Sequence, residues 1–411
     1  MATTTAALAR HYSRFQVSDR VLLTGHSHQA WPDVAFSAQK QAWLDAAEFV
    51  DDKWGRAFEV ADEVRAGFRR LLEDPDGHIA LGQNTHELVI RFLSALPLRE
   101  RPRLVTTDGE FHTIRRQLDR LEADGIEIVR VPTGADDTAN GRGVVAERLV
   151  DAVDDRTAAV LVSSVLFRDA RIVEGLDEVA AACACVGAEL LVDAYHSLNA
   201  VPFSVVEMGL EGAFVVGGGY KYCQLGEGNC FLRFPRDCGL RPVLTGWFAE
   251  FGTLSEGPGA DGSAADGGVA YGEGHLRFAG STYDPVSHYR AAAVFAFFRE
   301  QGLNVERLRE ISLSQIRRLA AGVDALDLDP GVLYRDRAAR LSRRGGFLTV
   351  ETPRAGEICC KLRGLGVYAD FRGRVLRMGP APYVTGEQLD RAVAALGEVV
   401  VGLESTQTVQ A

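Results

Sequence analysis

An acid closing one apolar run and a lysine just beyond another are the residues here best placed to do chemistry. Leu190-Leu-Val ends on Asp193, and Val215-Val-Gly-Gly-Gly219-Tyr220 opens onto Lys221, 28 positions after Asp193. That interval holds one crossover and a return strand, which would bring the two side chains to one place. The pair suits pyridoxal phosphate (PLP). A lysine amine binds its aldehyde as a Schiff base, and a carboxylate at the ring nitrogen keeps the ring protonated and able to draw electrons. A surface ion pair beside a Gly-rich loop would use the same two residues, so the flanking sequence has to decide.

The strand ends need elements to carry them. Leu104 to Thr107, Ile126 to Val131 and Ala158-Ala-Val-Leu-Val-Ser163-Ser164 read as strands, the last apolar throughout, as when both sheet faces are covered. A helix from Leu176 to Cys185 leads into the Asp193 strand, and Asn229 to Phe234 is a further strand after Lys221. Strands alternating with helices predict a mostly parallel α/β sheet, with ligands at the C-terminal strand ends. Upstream, Ile79-Ala-Leu-Gly82-Gln-Asn84-Thr85 is a strand, a turn and a helix start. Such a start attracts an anion, and it is equally an N-cap formed by Asn84 with Glu87. Leu22 leads into a loop with His26 and His28, a pocket-facing or simply a surface segment, before helices over Ala35–Val50 and Phe58–Leu72. Gly252 to Gly274 is rich in Gly, Ala, Ser and Asp and predicts a mobile loop. Helices over Ser287–Arg299 and Val305–Leu326 follow. The tail reads as an α+β unit ending in an amphipathic helix from Glu387 to Leu403.

Composition bounds the function. The 411 residues are 46% hydrophobic and 25% charged, with a net charge of −11 and no basic stripe, which argues against nucleic acid as a partner. The N-terminus lacks a signal-peptide pattern and no apolar run is of membrane-spanning length. Seven cysteines, an odd number, fit a reducing cytoplasm, and their spacing argues against a metal.

With these pieces in place the sequence resembles the fold-type I PLP enzymes, and among them the class V aminotransferase group that includes kynureninase. The resemblance spans about Leu22 to Tyr383. Its most specific block is Asp193-Ala-Tyr-His196-Ser-Leu-Asn-Ala-Val-Pro202 continuing to Tyr220-Lys221-Tyr222. It implies a large PLP-binding α/β domain over 55–288 and a discontinuous smaller α+β domain over 1–54 and 289–411. It further implies Lys221 as the Schiff-base lysine, Asp193 at the pyridine nitrogen, His196 beside the cofactor and Phe111 stacked on its ring. Asn84, Thr85, Tyr220 and Trp247 would hold the phosphate. Thr282 would reach the phosphate of a partner subunit in a homodimer. Arg377, in Asp370-Phe371-Arg372-Gly-Arg-Val-Leu-Arg377, would clamp the α-carboxylate of an amino-acid substrate; its other reading is a structural salt bridge.

Departures from the family bear on the substrate. His112 stands where kynureninases have proline, the Pro-Leu-Tyr-Asn signature survives only as Pro382-Tyr383-Val-Thr, and His26-Ser27-His28 replaces the usual N-terminal loop. The expected reaction is kynureninase-like hydrolytic cleavage of a Cβ–Cγ or Cβ–X bond, with a class V aminotransferase, an epimerase or a C–S lyase as alternatives. A cysteine desulfurase needs a nucleophilic cysteine shortly before the arginine, and Gly364 to Arg377 contains none. A dinucleotide-dependent oxidoreductase would need a glycine fingerprint after the first strand, which is missing. A non-catalytic binding protein would not need both Lys221 and Asp193.

Overall fold

The computed structural model describes residues 5–134, 144–256 and 269–408. Among the described residues twelve strands form three sheets. In chain order they are β1 (Val21–Leu22), β2 (His78–Gly82), β3 (Arg103–Thr107), β4 (Glu127–Val131), β5 (Thr157–Ser163), β6 (Glu189–Asp193), β7 (Phe214–Gly218), β8 (Cys230–Phe234), β9 (Leu348–Glu351), β10 (Val367–Tyr368), β11 (Asp370–Arg372) and β12 (Val375–Met378).

The seven-stranded sheet has the order β2-β8-β7-β6-β5-β3-β4. Five neighbours run parallel, and β8 is antiparallel to both β7 and β2. Six strands therefore point their C-terminal ends to one edge, and β8 brings its N-terminal end there. Alternation along these strands feeds two cores. Val160, Val162, Leu190, Val192 and Val215 pack on one face, and Leu161, Leu191, Phe214 and Val216 on the other. With both faces covered, all of β5 is buried, so its unbroken apolar run follows from the architecture.

Helices connect most of these strands as expected. The helix Val144–Ala152 between β4 and β5 was not legible in the sequence. The β6–β7 crossover is built of hydrogen-bonded turns instead of a helix, for example Ser197 N–H to Ala194 O and Ala213 N–H to Leu210 O. Helix Lys53–Leu71 starts five residues before the predicted Phe58 and packs on helix Val286–Glu300. A Cβ on Gly67 would sit 2.4 Å from the Phe295 ring, so glycine is what lets the two helices approach.

The second unit is the three-stranded antiparallel sheet β11-β12-β9 with its helices, and β1 pairs with β10. The first stretch of the tail behaves as predicted, with helix Ala355–Gly364 and a final helix Gly386–Thr408. The predicted mobile loop has its middle, 257–268, outside the described residues; its flanks include a short helix at Gly274–Phe278.

One buried ion pair ties strand β8 of the large sheet to the loop that precedes β2. Arg233 Nε lies 2.5 Å from Asp74 Oδ2, both side chains 3% exposed. Arg233 also donates to the carbonyls of Glu211 and Ala213, and Asp74 accepts from Gly77 N–H. Removing one partner strands the other charge out of water. Arg233→Ala is expected to cost about 3–5 kcal/mol in unfolding free energy, measured by denaturant titration against a conservative surface variant.

Candidate active site

The open edge of the large sheet carries a cavity of about 420 Å³. Its lining comes from successive strand ends: Gln83 to His86 after β2, Phe111 and Thr113 after β3, Ser163 and Val165 at β5. Asp193, Tyr195 and His196 follow β6, Tyr220 and Lys221 follow β7, and Glu227, Gly228 and Cys230 precede or open β8. Ligand crevices in parallel α/β sheets form at this edge because neighbouring strands all end there.

Lys221 is 5% exposed and its Nζ lies 2.8 Å from His196 Nε2. The amine also stands over Tyr195 at 4.4 Å, Phe111 at 5.2 Å and Tyr220 at 5.7 Å from the ring centroids. Burial pulls its pKa down to about 7; Asp193 opposes this and the Arg377 charge adds to it. His196 is held well below its ordinary value by burial and then by the Lys221 charge. Burial thus favours the neutral form of both partners in this contact. The three preceding glycines make room for the approach. A Cβ on Gly218 would fall 2.5 Å from the Tyr195 hydroxyl, and one on Gly219 would fall 2.4 Å from Leu225.

Asp193 is reached by the adjoining strand. Its Oδ1 accepts the Tyr195 N–H at 2.8 Å, and burial raises its pKa, against the opposing pull of that N–H and of Lys221. At the other end of the cavity begins helix Thr85–Ala95. Its cap Asn84 accepts from Glu87 N–H at 2.9 Å and donates to the Glu87 carboxylate at 2.9 Å. Capping by side chains leaves the helix's positive end facing the cavity, an anion-binding arrangement. Both sequence readings of Asn84 are thus compatible in one geometry.

The remaining predicted residues divide. His28 lies at the rim, its ring stacked on Tyr220 at 4.9 Å and its Nε2 3.5 Å from Glu227. His26 is buried and its Nε2 lies 2.7 Å from Asp370 Oδ1. Arg377 binds the same carboxylate from two nitrogens, at 2.8 and 2.5 Å, and donates from Nη1 to Phe167 O. Burial opposes a charge on Asp370, but the His26 hydrogen bond and the Arg377 pair hold its carboxyl well below the usual range. Burial brings His26 to about 4 in spite of Asp370. This cluster does not line the cavity. The Phe347 ring connects the two, with ring centroids 4.5 Å from His26 and 6.0 Å from His196, and the Arg377 guanidinium 5.5 Å away.

Trp247 and Thr282 also stand away from Lys221. Trp247 is 44% exposed and donates from Nε1 to Thr282 Oγ1 at 3.3 Å. Thr282 lines a separate cavity of about 500 Å³ that shares only Gln83 with the first. Among residues the sequence did not single out, Tyr195, Ser163, Cys230 and Glu110 belong to the Lys221 end. Their positions at strand ends, or next to Phe111, are the signal that points to them. Cys230 has its thiol pushed up to about 12, mainly by burial. Among the described residues no group of His, Cys, Asp and Glu is placed to hold a metal, and no helix is long and apolar enough to cross a membrane.

The kynureninase C-terminal domain family matches residues 308–396. A kynureninase of Bacillus cereus is 25% identical over 343 residues, covering 81% of this chain and 76% of that protein. An uncharacterised aminotransferase of Bacillus subtilis, YcbU, is 22% identical over 355 residues, covering 86% and 87%. Among solved structures, a C-DES variant with glycine covalently linked to its PLP cofactor matches with a TM-score of 0.80 at 16% identity, over 95% of this chain and 98% of that one. The apo cysteine desulfurase of Thermococcus onnurineus matches with a TM-score of 0.76 at 16% identity, over 98% and 100%. The structural likenesses establish the fold: a mixed, mostly parallel seven-stranded sheet with a smaller domain, as in those enzymes.

The amine supplies the test of the geometry. Reductive alkylation of Lys221 by a small aldehyde, followed by mass spectrometry, is expected to rise through pH 7 and level off near pH 8. A lysine in water would continue to gain reactivity past pH 10.

Proposed function

From its standing as a kynureninase-like fold-type I enzyme with class V aminotransferase relatives, we propose that this chain is a PLP-dependent enzyme that cleaves a Cβ–Cγ or Cβ–X bond of an α-amino acid. The observation that carries the reading is the buried Lys221 amine, 2.8 Å from His196 and in one cavity with Asp193 and Phe111. The lining fits the cofactor. Lys221 would bind the aldehyde, Asp193 would accept the ring N–H, and Phe111 and His196 would flank the ring. Thr85, Tyr220 and the helix start at Asn84 would take the phosphate. When bound, PLP supplies an electron sink for negative charge at the substrate α-carbon.

The chain's own residues then account for proton handling and orientation. The Lys221 Nζ would serve as the base for the α-proton, its proton affinity lowered by burial toward neutral pH. His196 Nε2 fixes that nitrogen at 2.8 Å. Burial raises the Asp193 carboxyl, and a cation beside it would favour its charged form. Arg377 is not exhausted by Asp370 and Phe167. A guanidinium has five N–H groups, and three are committed, which leaves one on each terminal nitrogen for a substrate carboxylate. In this reading the salt bridge orients the clamp, and His26 and His28 shape the substrate side. Residues 55–288 form the cofactor domain, with 1–54 and 289–411 as the smaller one. Trp247 would hydrogen-bond the phosphate, and Thr282 of one protomer of a homodimer would reach the phosphate site of the other.

Neither Cys359 nor Cys230 suits the desulfurase alternative as a ready thiolate. Cys359 is buried in helix Ala355–Gly364 with its thiol raised to about 11, and Cys230 has its proton held by burial.

Product analysis tests the reading. PLP-loaded protein given kynurenine or 3-hydroxykynurenine is expected to release alanine and the aryl acid, and Lys221→Ala to lower kcat by about 10²–10⁴-fold. Transfer of the amino group to a keto acid without alanine would favour the aminotransferase alternative. Arg377→Ala is expected to raise KM for the carboxylate substrate by roughly 10–100-fold, the loss of charged hydrogen bonds, while cofactor absorbance stays unchanged.

A further inference from the structure

Glu110 is a buried carboxyl that the chemistry above leaves unused. It is 3% exposed, and its oxygens are fully engaged. Oε1 accepts the Thr107 hydroxyl at 2.7 Å and the Ser163 N–H at 3.1 Å, and Oε2 lies 2.5 Å from Ser163 Oγ. Ser163 lines the Lys221 cavity together with Asp193. The two are register partners on parallel strands, so their side chains leave the sheet on the same side. Glu110 also directly precedes Phe111 at the start of helix His112–Ala123.

We propose that Glu110 is a positioning residue that sets the direction of the Ser163 hydroxyl and, through it, the polarity at the Asp193 end of the cavity. An ionised carboxylate only accepts, so Ser163 then turns its hydrogen toward Glu110 and shows oxygen lone pairs to the cavity. A protonated Glu110, its proton taken from solvent, donates to Ser163 Oγ instead. The Ser163 hydrogen is then free to point toward Asp193. The first state favours a protonated ring nitrogen opposite Asp193, and the second competes with it for that carboxylate.

The surroundings place this exchange in a useful range. Burial, and after it the Asp193 charge, raise the Glu110 carboxyl to about 7, against the three hydrogen bonds that favour the anion. Lys221 and His196 face Asp193 across the cavity. Asp108, in the same turn as Glu110, is turned away to the Thr133 N–H and hydroxyl, and His112 opens the helix beyond Phe111.

The inference rests on the PLP reading of the cavity, and two measurements keep them apart. PLP dissociation constants are taken from pH 5.5 to 8.5 for wild type, Glu110→Gln and Ser163→Ala, each as the full chain. Wild type and Glu110→Gln are expected to agree at pH 5.5. At pH 8.5 wild type should bind roughly three- to tenfold more tightly, a factor of ten being one pKa unit. Ser163→Ala should lose at least half of that pH dependence. A wild-type to Glu110→Gln ratio that is flat with pH, or full pH dependence in Ser163→Ala, overturns the proposal.

Thermal unfolding of the cofactor-free proteins gives the second measurement. A carboxyl raised from 4.5 to about 7 on folding adds stability below 4.5 and loses it as pH rises through 7. Wild type is therefore expected to fall a few degrees relative to Glu110→Gln between pH 5.5 and 8.5. An unchanging difference overturns the titration itself. Wild type that binds no PLP while its melting temperature still falls overturns the cofactor reading and, with it, the proposed role of Ser163.

Discussion

Taking the Lys221 amine out of water is the constraint on which the rest of the site depends. An ammonium in that position would lose its hydration with only one nearby carboxylate, Asp193, to compensate. The neutral form is the less costly one, and its neighbours suit it: an imidazole nitrogen and three aromatic rings. The same burial acts in the opposite sense on Asp193 and Glu110, favouring their protonated forms. Lys221 and Asp193 thus share one cavity, with Glu110 held behind Ser163 of its wall, and burial draws the proton affinities of amine and carboxyls toward each other. A cationic ring arriving among them would meet groups already close to exchanging protons.

Strand polarity decides which residues share that environment. Because β2, β3, β5, β6 and β7 all end at one edge, short segments from distant parts of the sequence converge there. The single reversed neighbour, β8, closes the Lys221 loop from the far side. Gly219 N–H donates to Asn229 O and Leu225 N–H to Gly219 O. The loop is therefore anchored at both ends, and its lysine is aimed before any ligand arrives. Pre-ordering of this kind moves the entropy cost from binding to folding.

Much of this was legible in the sequence, for identifiable reasons. An apolar run ending on Asp193 and another opening on Lys221 carry strong local signals, and parallel sheets make strand ends converge. The helix start at Asn84 was legible because capping residues announce themselves. Harder to read were residues whose importance comes only from the register of neighbouring strands. Ser163 is an ordinary strand-end serine until β5 lies beside β6. Phe347 is an ordinary apolar residue until the tail folds against His196 and His26. Arg377 was read as a clamp or a salt bridge; the geometry includes the salt bridge and leaves two N–H groups over. Trp247 and Thr282, which share a hydrogen bond, stand away from Lys221, Thr282 on the wall of a second cavity, a separation that no local sequence pattern announces.

The joining of the chain's two ends has a consequence in time. Val21 and Leu22 pair with Val367 and Tyr368, Thr24 bridges to Gly379, and His26 meets Asp370. More than three hundred residues separate these partners. During synthesis these pairings must therefore wait until the last strands emerge, although the neighbouring His28 and Gln29 meet Tyr220, Glu227 and Gln224 of the earlier-made sheet region. Long-range closure of this sort is slow to nucleate, so the large-sheet edge around Lys221 is able to form before the contacts that join the chain's first strand to its last ones.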